Sequence, residues 1–293
     1  MSAYGLQAVT IDATTLTGIK SYNFDRREKA LDANTDGTVH RTMHAVKRAA
    51  PKVDFSTVAC KSLIALLNGS LDAPMLNLAT GAAFVFALQS ATVPGYAGTH
   101  RGISLAKGQV YLTGFKWSPS GDGLEAAATV FGLSADGTSD PVALTTPSLP
   151  TVTPVEVFTL TSLTLGGQAV TKCQSFELSI DPKADNGVED VCFDLGLPYP
   201  KIMAVAGAAG PIEVDATIET LDQAVAPTTT GTLVAVFTQY AFGGTLGTAT
   251  VTLTINASMI REESRVGGRP STRRFRIMAR HDGTNRPLTL AST

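Results

Sequence analysis

The stretch Thr248–Asn256 alternates without a break: Ala249, Val251, Leu253 and Ile255 fall on one side, Thr248, Thr250, Thr252 and Thr254 on the other. A period of two belongs to a half-buried β-strand, because a helix turning every 3.6 residues would scatter these side chains around its axis. Ile212–Glu219 repeats the pattern, with Ile212, Val214, Ala216 and Ile218 opposite Glu213, Asp215, Thr217 and Glu219. Gln174–Asp181 sets Phe176, Leu178 and Ile180 against Ser175, Glu177, Ser179 and Asp181. Further strands are expected at 7–12, 37–46, 81–89, 110–117, 124–133, 155–165 and 233–241. Asp36-Gly37, Asp122-Gly123, Asp136-Gly137, Asn186-Gly187 and Asp282-Gly283 supply the positive φ that tight hairpin turns need. No βαβ rhythm is present. The fold class predicted is therefore all-β, an antiparallel β-sandwich or β-barrel.

One segment departs from this period. After Asp54, the residues Phe55, Val58, Ala59, Leu63, Leu66 and Leu67 share one face at helical spacing. Asp54 or Ser56 is placed to cap the start, and Gly69 after Asn68 to end it. The spacing predicts an α-helix near 55–68, lying on an open sheet face or across the mouth of a barrel.

Pro147-Ser-Leu-Pro150-Thr-Val-Thr-Pro154 reads as a linker, and the chain on either side follows one order. Before it come Leu16-Thr-Gly18, Phe24-Asp25, Asp36-Gly37 and Pro51-Lys-Val53; after it come Leu165-Gly-Gly167, Phe176 with Asp181, Asn186-Gly187 and Pro211-Ile-Glu-Val214. This order suggests two tandem β domains, 1–150 and 151–260, against the alternative of a single domain with an insertion. Beyond Ile260, Arg261, Arg265, Arg269, Arg273, Arg274, Arg276, Arg280 and Arg286 outnumber Glu262, Glu263 and Asp282. From Ser62 to Ile260 the balance is reversed, sixteen acidic residues standing against six basic ones. Residues 261–293 thus read as a basic C-terminal arm that grips an acidic face of a neighbouring subunit. Phosphate binding is the other use of such arginines, with Phe275 as the nearby aromatic.

A hydrophobic fraction of 44% supports a sizeable core, and a formal net charge of -2 calls for neither nucleic acid nor an anionic membrane as a partner. Charged residues reach only 16%, against about 25% in an average domain, as in chains that hide much of their surface in an assembly. Met1–Thr10 has no basic segment leading into an apolar one, so no signal peptide is expected, and the apolar run Ala82–Leu88 is far short of a membrane helix. Cys60, Cys173 and Cys192 are odd in number and widely spaced, which favours free thiols.

The inventory for catalysis is thin. His40 and His44 on one strand stand about 13 Å apart, too far to share an ion, so no metal site is expected there. The run Asp181–Asp190 fails as a calcium loop because Lys183 takes the third position and Gly187 comes one place late. Gly132–Asp136 lacks the glycine that would follow a nucleophilic serine, and Gly243-Gly244 lacks the lysine of a phosphate cradle. No enzyme activity and no cofactor are expected.

The strand Gln174–Asp181 with its turn, the strand Gly210–Glu219, and a helix beside a β-sandwich together resemble the tail-tube proteins of long-tailed bacteriophages. The resemblance covers about two thirds of the chain through features of low specificity. It implies sandwich or barrel domains whose long hairpins join around a ring into a continuous inner β-barrel. Six domains surround the lumen in that family, so a fused double domain implies a trimeric pseudo-hexameric ring and a single domain a hexamer. It also implies stacking of rings, tape-measure and tail-terminator partners, and residence in the virion after synthesis in the host cytoplasm. DNA would pass through without specific binding.

A conduit must not hold its cargo. Glu213, Asp215 and Glu219, or Glu177 and Asp181 on the other strand, are candidates to line the lumen as a wall that repels phosphate. The arm candidates are Arg265, Arg269, Arg273, Arg274, Arg276 and Arg280. A tail-tip or capsid decoration domain, or an adhesin that binds a receptor or another virion protein, is the competing reading. Its aromatic cleft would have to come from 6% aromatics and the lone Trp117.

Overall fold

A computed structural model of the chain describes residues 4–33, 43–67, 75–78, 81–88, 101–147, 156–181, 190–192, 194–204, 213–226, 229–240, 244–263, 272–280 and 286–293. The protein is all-β, antiparallel and layered, with one helix among the described residues. The first part of the chain contributes β1 (Tyr4–Ile11), β2 (Thr14–Leu16), β3 (Ile19–Asp25), β4 (Lys29–Ala33), β5 (Met43–Arg48), β6 (Lys52–Thr57), α1 (Cys60–Leu67) and β7 (Met75–Leu78). It continues with β8 (Ala82–Leu88), β9 (Arg101–Leu105), β10 (Lys107–Trp117), β11 (Glu125–Leu133) and β12 (Val142–Thr145). The second part contributes β13 (Phe158–Leu165), β14 (Gln168–Ala169), β15 (Cys173–Asp181), β16 (Asp190–Cys192), β17 (Ile202–Ala204) and β18 (Glu213–Thr220). It ends with β19 (Thr230–Tyr240), β20 (Leu246–Glu263), β21 (Arg273–Arg280) and β22 (Leu288–Ser292).

These strands form one topology twice. In the first unit a five-stranded layer runs β2-β1-β8-β9-β12, and a second layer runs β3-β6-β11-β10. In the second unit the matching layers run β14-β13-β19-β20-β22 and β15-β18-β21-β20. Each unit also carries a separate two-stranded hairpin, β4 with β5 and β16 with β17, inserted between its first two inner-layer strands. The long β20 serves both layers of its unit: Val251–Ile255 pair with β22, Met259–Glu263 with β21. In the first unit this strand is divided at Ala106 into β9 and β10. The duplicated order in the sequence is thus visible as a duplicated course of strands. The segment between the units falls mostly outside the described residues.

Each unit closes around aromatic pairs that bridge its layers. Phe55 of β6 meets Phe84 of β8 edge to face at 6.5 Å, and Phe176 of β15 meets Phe237 of β19 at 5.6 Å. Buried side chains from both units belong to one hydrophobic cluster. Burying each of these rings contributes on the order of 2–3 kcal/mol. The inner layers of the two units join edge to edge, β10 to β15, giving a run of eight strands: β3-β6-β11-β10-β15-β18-β21-β20.

Three expectations need correction. The helix begins at Cys60, not near 55, because residues 52–57 are a strand bonded on both edges, to β3 and β11. Its Val53 and Phe55 point into the core while Asp54 faces out, the period-two arrangement. The helix start is organised by Thr57, whose hydroxyl accepts from the Ala59 amide at 3.0 Å and donates to the Thr17 carbonyl at 2.8 Å. Asp54 instead accepts from the Thr129 hydroxyl, and Ser56 bonds Ser21; Asn68 and Gly69 lie outside the described residues. The helix lies on neither an open face nor a barrel mouth: it packs on β2 and β11 of the first unit and on β20 and β22 of the second. Finally, the second unit does not stop at residue 260, and 261–293 is not an arm, since β20 runs on to Glu263 and β21 and β22 complete the unit.

Candidate functional site

Strand β21 reads Arg-Arg-Phe-Arg-Ile-Met-Ala-Arg, and its alternation buries Phe275, Ile277 and Ala279. It lies between β18 and β20, so its arginines face carboxylates of their own chain. Arg276 reaches Asp215 at 2.8 Å and Arg280 pairs with Glu213. Arg273 grips Glu262 with two bonds of 2.7 Å and also donates to the Val225 carbonyl at 2.5 Å, its guanidinium stacked over Phe275. Arg274 stands 3.3 Å from Glu263. Hydrogen bonding to Arg273 lowers the Glu262 carboxyl below its ordinary value, and the bond to Asp215 raises the Arg276 guanidinium.

The acidic and basic candidates therefore meet inside one subunit. Asp215 and Glu213 are half-neutralised by Arg276 and Arg280, which makes this face of β18 and β21 a charge-paired ladder and not a bare negative wall. Glu219 lies opposite Arg274 in the register, and Glu177 stands exposed opposite Lys116. Asp181 ends β15 opposite Glu213, its side chain outside the description, and Arg265 and Arg269 lie outside the described residues. Of the histidines, His44 lies on β5 and the others fall outside the described residues. Among the described residues no group of three or more His, Cys, Asp or Glu side chains is placed to hold an ion. No described helix is long and apolar enough to cross a membrane. Burial pushes the Cys60 thiol far up and that of Cys173 up to about 12, so both stay protonated.

The second feature is the seam between the units. Gly114↔Ser179, Phe115↔Leu178, Lys116↔Glu177 and Trp117↔Phe176 pair β10 with β15. Gly114 permits the close approach: a Cβ there would stand 2.3 Å from the Leu178 carbonyl oxygen. Only the lower half of β10 is used, because β7 pairs with Gly108–Tyr111 on the same edge. The hairpin inserted in the second unit strengthens the seam from above. Its turn, residues 194–201, leans on the first unit, with Ala49 donating to the Pro198 carbonyl at 2.9 Å, Ser134 to Pro200 at 2.7 Å and Tyr199 to Gly137 at 3.1 Å. Arg26, held to Asp140 at 2.6 Å, lies beside Tyr199 and is raised above its ordinary value by its acidic neighbours.

Sequence reasoning identified the acidic strand of the charged ladder, β18, but read the arginine strand β21 as part of an arm, and it missed the seam. The one signal available was Gly114, a glycine inside the apolar strand Val110–Trp117, which marks close backbone approach. No protein-family model matches the chain, and no curated protein matches it either.

Proposed function

We propose that this chain is the structural subunit of a phage tail tube, built into the virion as stacked rings around a channel for DNA. The observation that carries the reading is the repeated unit whose inner layers merge edge to edge into one eight-stranded sheet. A chain that already joins two equivalent units by their sheet edges carries the geometry for joining further units in the same way. Three copies would supply six units and twenty-four inner strands. At ~4.8 Å between strands and ~40° of tilt these close a backbone ring ~48 Å across, wide enough to pass a DNA duplex.

The exposed face of that sheet suits a conduit. A row of small residues, Ser21, Ser56, Ala127, Gly114 and Ser179, crosses it with Ser56 and Gly114 buried, and Arg276 and Arg280 are tethered to Asp215 and Glu213 of the same chain. Tethered arginines have less to offer a phosphate than free ones, so DNA can slide without being gripped. Imaging the purified chain by negative-stain electron microscopy tests the reading. Rings or hollow tubes are expected; particles that stay single-copy at every concentration, and also when mixed with tail-tip complexes, contradict it.

A further inference from the structure

The seam inside the chain is a template for a contact between chains. In the first unit the inner-layer strand equivalent to β15 is β3: both open their layer, both lead into an inserted hairpin, and both pair antiparallel with the next strand, β18 or β6. β15 has a second neighbour, β10. Among the described residues β3 has none on that side and forms the edge of the sheet. Among the described residues the outer-layer edges β14, β2, β12 and β22 span two, three, four and five residues, whereas β3 spans seven. A long, regular edge strand is a site for strand addition unless it is blocked.

Burial says the same. Matching the two ladders from Asp25↔Lys52 and Asp181↔Glu213 puts Tyr22 at the place of Leu178 and Asn23 at that of Ser179. Leu178 is 2% exposed because β10 covers it, while Tyr22 is 42% exposed. At the far end of the eight-stranded run, the counterpart of β10 is the tip of β20. There β19 pairs with β20 only as far as Met259, just as β7 occupies only the upper part of β10. Among the described residues this leaves Arg261–Glu263 as the edge equivalent to Gly114–Lys116, since Glu263↔Arg274 closes its hairpin as Lys116↔Glu125 closes the other.

The geometry points to a ring-closing contact in which β3 of one copy pairs antiparallel with Arg261–Glu263 of the next, repeating the β10–β15 seam between chains. The ring itself rests on the tube reading above; the choice of edges rests on the internal seam alone. Asn23 falls opposite Arg261, Tyr22 opposite Glu262, and Ser21 opposite Glu263. The occupant of the β3 edge is thus a second copy of this chain.

Once electron microscopy has identified rings, cysteine cross-linking tests the contact. Asn23→Cys is combined in turn with Arg261→Cys, Glu262→Cys and Glu263→Cys, in a background with Cys192→Ser. On oxidation, at least one combination is expected to convert most of the chain into a covalent species of three copies on a non-reducing gel. The four single variants should stay as single chains. Rings that form normally while none of the three combinations cross-links overturn this contact and leave the tube reading standing. A parent chain that forms no rings under any condition overturns both.

Discussion

Where β11 of the first unit carries Ala126, Ala127 and Ala128, β21 of the second carries Phe275, Arg276 and Ile277. Both triplets sit between the same two neighbours, β6 and β10 in one unit, β18 and β20 in the other. The buried positions differ in volume and the exposed position differs in charge, yet the course of the chain is the same. Unit one fills the difference with Phe55, Phe115 and the helix, whereas unit two has no helix after β18 among the described residues and fills its interior with Phe176, Phe237 and Phe275. Alternation of apolar and polar residues is thus enough to specify the layers, and volume is adjusted locally. Edge strands behave differently. β15 is capped by a neighbour and β3, among the described residues, is not, and the side chains follow: Leu178 and Ile180 in the covered strand, Tyr22 and a half-buried Phe24 in the open one.

The largest effect is expected in the two cores. Phe84→Ala and Phe237→Ala each remove one ring of a pair that bridges the layers, and each is expected to cost about 3–5 kcal/mol. Because the sheet and the core run through both units, each variant should unfold in a single shifted transition by calorimetry. Two resolved transitions would mean that the units fold as separate domains. Next comes the seam. Gly114→Ala pushes a methyl group against the Leu178 carbonyl and should cost about 2 kcal/mol in urea unfolding. Arg261→Ala, at the matching place in the second unit, should change subunit stability by less than about 0.5 kcal/mol. Equal costs at the two positions would break the equivalence.

Charge reversal is expected to have a smaller effect. Asp215→Lys removes the partner of Arg276 and sets two cations side by side, for a small loss of stability that shrinks as salt is added. A loss unchanged by salt would mean the ladder is held by packing and not by charge. The smallest effect concerns the loop between β11 and β12. Asp136 accepts from the amides of Ser139 and Thr138 and from the Ser134 and Ser139 hydroxyls, and these bonds hold its carboxyl far below the usual range. Since the folded-state value is depressed, its contribution is complete at neutral pH and is lost only as pH falls through that low value. The Thr138 and Ser139 amides should stay protected from hydrogen exchange at pH 4, where an ordinary Asp is half protonated. Asp136→Ala should remove that protection at every pH.

The strands were legible because their signal is local. Ile212–Glu219 and Thr248–Asn256 declare their buried faces residue by residue, and Val214, Ile218, Val251 and Leu253 are buried accordingly. The start of the helix was misplaced because Val53 and Phe55 extend its apolar spacing backwards; a strand and a helix can share a few positions, and long-range pairing with β3 and β11 decides between them. The duplication left only a partial trace in the sequence: Pro51 and Pro211 each come just before an inner strand, β6 and β18, whereas Gly18 follows β2 and Gly167 precedes β14. The basic segment looked like an arm because composition carries no partner information. Arg276 and Asp215 lie sixty-one positions apart, and only the adjacency of β18 and β21 brings them together. The seam was hidden for the same reason, since no local pattern in Gly114 names Ser179 as its partner.

The number of chains in one ring tests the central claim most directly, and native mass spectrometry of isolated rings counts it. Two equivalent units per chain predict three copies, seen in top views as six similar lobes with threefold symmetry. A ring of six copies would contradict the account, because each chain would then contribute one position to the ring and the duplicated unit would have some other purpose.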